Sequence, residues 1–197
     1  MTSSTRKLLL PLAGFVAGFI VLALVAGVVL LRGGDSQGGT AAVGGPFTLV
    51  AQDGTPVTEQ ALKGQPSLVF FGYTHCPDVC PATLSEISSV FKALGPDAKA
   101  KAFFVTVDPQ RDTPVVMKDY LSSFDPRITG LTGSPAAIKK VEDDYKVYAE
   151  AKADKDGTYT MDHTAITYLM DKNGLFVSGF NLDRSPADAA AELKRYN

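Results

Sequence analysis

Cys76 and Cys80 are the only cysteines in the 197-residue chain, and His75 and His163 are its only histidines. Three of these four fall in one short run, Gly72-Tyr73-Thr74-His75-Cys76-Pro77-Asp78-Val79-Cys80-Pro81. A spacing of four residues is about one helical turn, so two thiols on a helix start face the same way. Such a pair can close a disulfide, or open slightly and grip one metal ion. A five-residue loop gains little chain-entropy stabilisation from a disulfide, which favours a reactive or metal-binding pair over a structural staple. At a helix N-terminus the partial positive charge favours thiolate over thiol.

His75 adjoins Cys76, but neighbours on a turn point apart, and it reads as loop support. His163 stands before an apolar strand, either as an ordinary histidine with a hydrogen-bond partner or as a third ligand. In the second case the set is two thiolates and one imidazole. Soft thiolates select Cu(I), and imidazole suits copper and zinc alike. Three ligands fit three-coordinate Cu(I), or zinc completed by water. Asp78, between the cysteines, reads as a solvated carboxylate or as a group that tunes the thiols.

The elements around the dithiol follow from patterning. Residues 67–71 are apolar after Ser67, as in a strand covered on both faces. Leu84, Ile87, Phe91 and Leu94 then recur at helical spacing, with Pro81 in the first turn and Gly95-Pro96 as the stop. Residues 102–107 form a second buried strand. Thr113-Pro114 opens a helix whose expected buried side is Val116, Tyr120, Leu121 and Phe124. Ser134-Pro135 opens another, with Ile138, Val141 and Tyr145 inward. Residues 46–50 and 56–58 flank Asp53-Gly54-Thr55 as a leading hairpin, and residues 154–157 make a charged turn. Residues 164–170 and 175–180 flank Asn173-Gly174, a strong hairpin signal, and Ser185-Pro186 starts a closing helix. Strands alternating with helices imply an α/β fold with a mixed sheet flanked by helices. A dithiol after the first buried strand makes it thioredoxin-like.

Residues 8–31 are 24 positions without a charge, roughly 36 Å of helix against a bilayer core of about 30 Å. They are expected to be an uncleaved transmembrane helix, since no Ala-x-Ala site ends the run. Arg6 and Lys7 precede it and Arg32 alone follows. The positive-inside rule therefore makes residues 1–7 a cytoplasmic tail and exports the rest. The expected location is the cell membrane, single-pass, with the C-terminal domain extracytoplasmic. Residues 32–46, six of them glycine, read as a flexible linker of roughly 20 Å reach. Residues 47–197 form one domain. Beyond Arg32 there remain 16 Lys+Arg against 21 Asp+Glu, a net −5, with no basic stripe to engage nucleic acid.

Four motifs stand in order: residues 71–81 (Phe-Gly-Tyr-Thr-His-Cys-Pro-Asp-Val-Cys-Pro), 107–114 (Val-Asp-Pro-Gln-Arg-Asp-Thr-Pro), 130–133 (Gly-Leu-Thr-Gly) and 159–164 (Tyr-Thr-Met-Asp-His-Thr). In these the chain resembles the Sco/SenC family over about residues 46–181. The family's members are membrane-anchored, thioredoxin-like copper chaperones that serve assembly of the binuclear copper A centre of cytochrome c oxidase. The resemblance implies a copper ion held by Cys76, Cys80 and His163, with His75 outside the ligand set. It implies as partners the copper-bearing oxidase subunit and, as a second candidate, another copper carrier. Thr164 and Met161 replace residues frequent in the family, Ser and Val, without touching a ligand. Thioredoxin-type reductases differ in using C-x-x-C after a Trp. Peroxiredoxins place a Thr three residues before their reactive Cys. The alternative kept open is a thiol–disulfide reductase whose redox-active pair is Cys76 and Cys80, keeping the acceptor's cysteines reduced. No catalytic residue is otherwise assigned.

Overall fold

A computed structural model describes residues 43–155 and 157–196. The expected tail (1–7), membrane anchor (8–31) and most of the linker (32–46) lie outside these residues. Among the described residues no helix is long and apolar enough to cross a membrane.

Seven strands form one mixed sheet in the order β2-β1-β5-β4-β3-β8-β9. In its interior β3 (Ser67–Gly72) is flanked by β4 (Lys101–Thr106) in parallel and β8 (Thr167–Met170) in antiparallel register. Every residue of β3 is buried, as the unbroken apolar run requires. The rest of the sheet is the hairpin β1 (Thr48–Ala51) and β2 (Pro56–Thr58), then β5 (Ile128–Thr132) parallel to β4, and β9 (Phe176–Gly179) beside β8. The thioredoxin-like mixed sheet flanked by helices is thus observed. Four of its strands, β2, β3, β4 and β9, fall within a residue of their expected bounds.

Alternate residues of β3 serve opposite layers. Phe70 stacks on Phe104, which meets Tyr120 of α2 (Pro114–Leu121). Phe71 instead meets Tyr145 of α3 (Pro135–Tyr145), and Tyr168. The sheet is therefore covered on both faces. The dithiol helix α1 (Val79–Leu94) buries Leu84, Ile87, Phe91 and Leu94 and packs on the closing helix α4 (Pro186–Lys194). Serine or threonine caps α2, α3 and α4 ahead of a first-turn proline, as their sequences require.

Three features depart from the sequence reading. In α2 the buried residues are Met117 and Leu121, while Val116 is exposed. With eight residues this helix is too short for its pattern to fix its rotation. β5 was not anticipated. Nor was a separate two-stranded ribbon, β6 (Ala149–Ala153) paired antiparallel with β7 (Tyr159–His163), which contains the charged turn. At the start of the domain, Gly44 N–H donates to Asp144 O at 3.0 Å, and Lys140 Nζ donates to Pro46 O at 2.7 Å.

Candidate metal centre

Two elements converge on one spot. The turn after β3 supplies Cys76, the start of α1 supplies Cys80, and the last residue of β7 supplies His163. One ligand atom from each lies within 4.8 Å of the other two. Both cysteines are free thiols, Cys80 buried and Cys76 half-buried. Cys80 sits in the first turn of α1, and its N–H reaches Cys76 Sγ at 3.4 Å.

Gly72 makes room for Cys80. A Cβ there would stand 2.7 Å from Cys80 Sγ and 2.8 Å from the Phe104 ring, so a side chain would push the sulfur from its seat. Burial in this seat pushes the Cys80 thiol well above its ordinary range, and the neighbouring Cys76 adds to the effect. The expected help from the helix N-terminus is outweighed here by desolvation.

His163 is oriented by the carbonyl of the next residue. Nδ1 lies 3.1 Å from the Thr164 carbonyl, which can only accept, so Nδ1 carries the hydrogen. In the neutral imidazole Nε2 then keeps its lone pair, 3.7 Å from Cys80 Sγ. This is the second partner that metal-binding imidazoles commonly have. For a metal with sulfur at roughly 2.3 Å and nitrogen at roughly 2.0–2.1 Å, trigonal angles put sulfur and nitrogen about 3.8 Å apart. The observed Cys80–His163 separation matches that spacing, and the full trio spans no more than 4.8 Å. Tyr73 meets the imidazole edge-on, ring centroids 5.8 Å apart.

His75 does not join the cluster. It is exposed, with Nδ1 3.1 Å from Thr74 Oγ1. Asp78 is exposed at the N-cap position without capping α1 through its side chain.

Sequence reasoning assigned no role to the residues that hold the two halves together. Asp112 is fully buried, and its carboxylate accepts from Thr74 N–H (3.0 Å), Thr74 Oγ1 (2.6 Å) and Thr106 Oγ1 (2.6 Å). It ties the cysteine loop to the end of β4. Arg111 pairs with Asp108, donates to Tyr159 O at 2.9 Å and lies 3.8 Å over the Tyr159 ring. Tyr159 Oη in turn donates to Asp108 Oδ1 at 2.9 Å. This clamp fastens the ribbon, and so His163, to the loop after β4. The available signal was a cluster of charges, Asp108, Arg111 and Asp112, directly behind a buried strand.

The SCO1/SenC family model matches residues 35–197. The chain belongs to the SCO1/SenC family. Its relatives include the SCO2-like protein of Rickettsia felis, 42% identical over 155 residues, covering 77% of this chain and 76% of that protein. Solved structures similar to this chain include copper-bound members of the family. ScoI of Bradyrhizobium japonicum is 62% identical with a TM-score of 0.77, covering 79% of this chain and 100% of that one. ScoI of Arabidopsis thaliana is 35% identical with a TM-score of 0.72, covering 79% of this chain and 100% of that one.

Proposed function

We propose that this SCO1/SenC protein is a membrane-anchored copper chaperone that carries one copper on Cys76, Cys80 and His163. It delivers that copper to the copper A centre of cytochrome c oxidase. The carrying observation is the trio itself: two thiols and one imidazole within 4.8 Å, with Nε2 free to face the sulfurs. Two sulfurs and a nitrogen form a soft set that suits Cu(I), and copper is bound in the ScoI relatives. The carrier is organised as a tail (1–7), an anchor (8–31), a linker (32–46) and an extracytoplasmic copper domain (47–197).

A second reading has its own observation. Cys76 is half-buried and Cys80 fully buried, both as free thiols, an asymmetry that suits a dithiol reductase attacking through the outer sulfur. Metal delivery needs His163, whereas thiol exchange needs only the cysteines.

The separating experiment measures oxidase copper A content in cells carrying His163→Ala, Cys76→Ser or His75→Ala. Delivery predicts loss in the first two and normal content in the third. Purified chains should show no tight Cu(I) binding after Cys76→Ser and weakened binding after His163→Ala. Normal copper A with His163→Ala, alongside its loss with Cys76→Ser, would replace delivery by thiol chemistry.

A further inference from the structure

A groove of about 500 Å³ opens between α3, the β6–β7 ribbon and the loop after β4, beside the metal centre. Its walls are largely apolar. Strand alternation sets Ala149, Ala151 and Ala153 on one face of β6, and Ile138 lines the helix side. Into this lining α3 brings Glu142, whose residue is only 5% exposed. Among the described residues no donor hydrogen-bonds its carboxylate. Lys139 Nζ stands 3.9 Å away and is hydrogen-bonded to Asp143 at 2.7 Å. With no protein donor, its oxygens rely on water in the groove, and burial of the side chain pushes Glu142 up to about 7. An ammonium or guanidinium from outside would supply the missing donors and the opposite charge.

The groove borders the metal centre along β7. Tyr159, Met161 and His163 occupy alternate positions of β7, hence one face of the ribbon. The first two line the groove and the third is a ligand candidate. Two strand residues span roughly 7 Å, so a protein seated in the groove has the copper within reach.

We propose that this groove docks the copper acceptor through an extended segment, its small apolar side chains on the alanine face of β6 and one lysine or arginine against Glu142. The inference rests on the delivery reading above. The net −5 beyond Arg32 favours a basic partner segment and opposes a second copy of this chain, which would bring the same acidic excess.

The test uses the copper-loaded full chain in detergent and, as probe, the copper-free copper A domain of the oxidase subunit from the same cells. Copper arrival is followed against probe concentration. Glu142→Lys and Ala151→Trp should each raise the half-saturating concentration about tenfold or more, with one copper still bound per chain. Ala151 is exposed on the ribbon, so Ala151→Trp decides alone if Glu142→Lys does not fold. Wild-type half-saturation in both variants would overturn the docking site and leave delivery standing. A wild-type chain that passes no copper would overturn delivery and this inference together. Dimers in sedimentation that Ala151→Trp abolishes, with transfer unchanged, would give the groove to a second copy and overturn it as well.

Discussion

Two buried acids show how one residue type serves opposite ends. Asp112 receives three hydrogen bonds and fixes the loop that carries Cys76. Glu142 receives none, and burial holds its carboxyl up at about 7, above the ordinary 4.5. The sign of the consequence follows from linkage. A carboxyl whose folded value is raised binds its proton more tightly in the folded state. Its contribution to stability is complete below about pH 4.5 and is lost as pH rises towards 7. Glu142→Gln removes the ionisation, so its melting temperature relative to the wild type should climb between pH 4.5 and pH 7 and level off above. Thermal unfolding by circular dichroism without metal, at pH 4.5, 6, 7 and 8, measures that difference. A difference constant across the range would show that Glu142 is solvated in the folded protein.

Among the elements, the ribbon decides whether the site exists, and it was the least legible part of the sequence. β3 and α1 could be read directly, because an apolar run and a helical repeat each carry their own period. So could the three proline-led helix starts. β6 could not, since Ala-Glu-Ala-Lys-Ala is composed of good helix formers that are depleted in strands. Its extended state comes from pairing with β7, and β7 is held by the Arg111 clamp, a tertiary contact with no local signature. β5 was obscured by Gly130, whose missing side chain leaves room for Leu121 and Met117 of α2. Cys76 and Cys80 were evident as a pair from spacing alone. His163 as their neighbour required either the family resemblance or the fold. Arg111→Ala should therefore loosen the ribbon while both thiols remain in place. Copper affinity should fall within the roughly 10–100-fold range seen when a ligand's supporting partner is lost. Amide hydrogen exchange in residues 149–163 should accelerate selectively. Unchanged affinity together with accelerated exchange would show that His163 does not need the clamp to meet the metal.

At the scale of the whole molecule, delivery requires that the thiols lie outside the cytoplasm and that the domain stay tethered there. The sequence argument for this is charge asymmetry: Arg6 and Lys7 precede an uncharged run of 24 residues and Arg32 alone follows it. The structure adds which sulfur should report on it, because Cys76 is half-buried and Cys80 is not accessible. A membrane-impermeant maleimide added to intact cells after mild reduction should label the wild-type chain. Labelling should persist in Cys80→Ser and vanish in Cys76→Ser, and it should fall when the cells are first supplied with Cu(I), since a metal-bound thiolate is withheld from the reagent. The chain should also stay with the membranes through an alkaline wash, as an uncleaved anchor requires. Protection of Cys76 until the membrane is lysed would reverse the orientation. It would also put the copper site in the cytoplasm, where it could not load an acceptor exposed on the outer face.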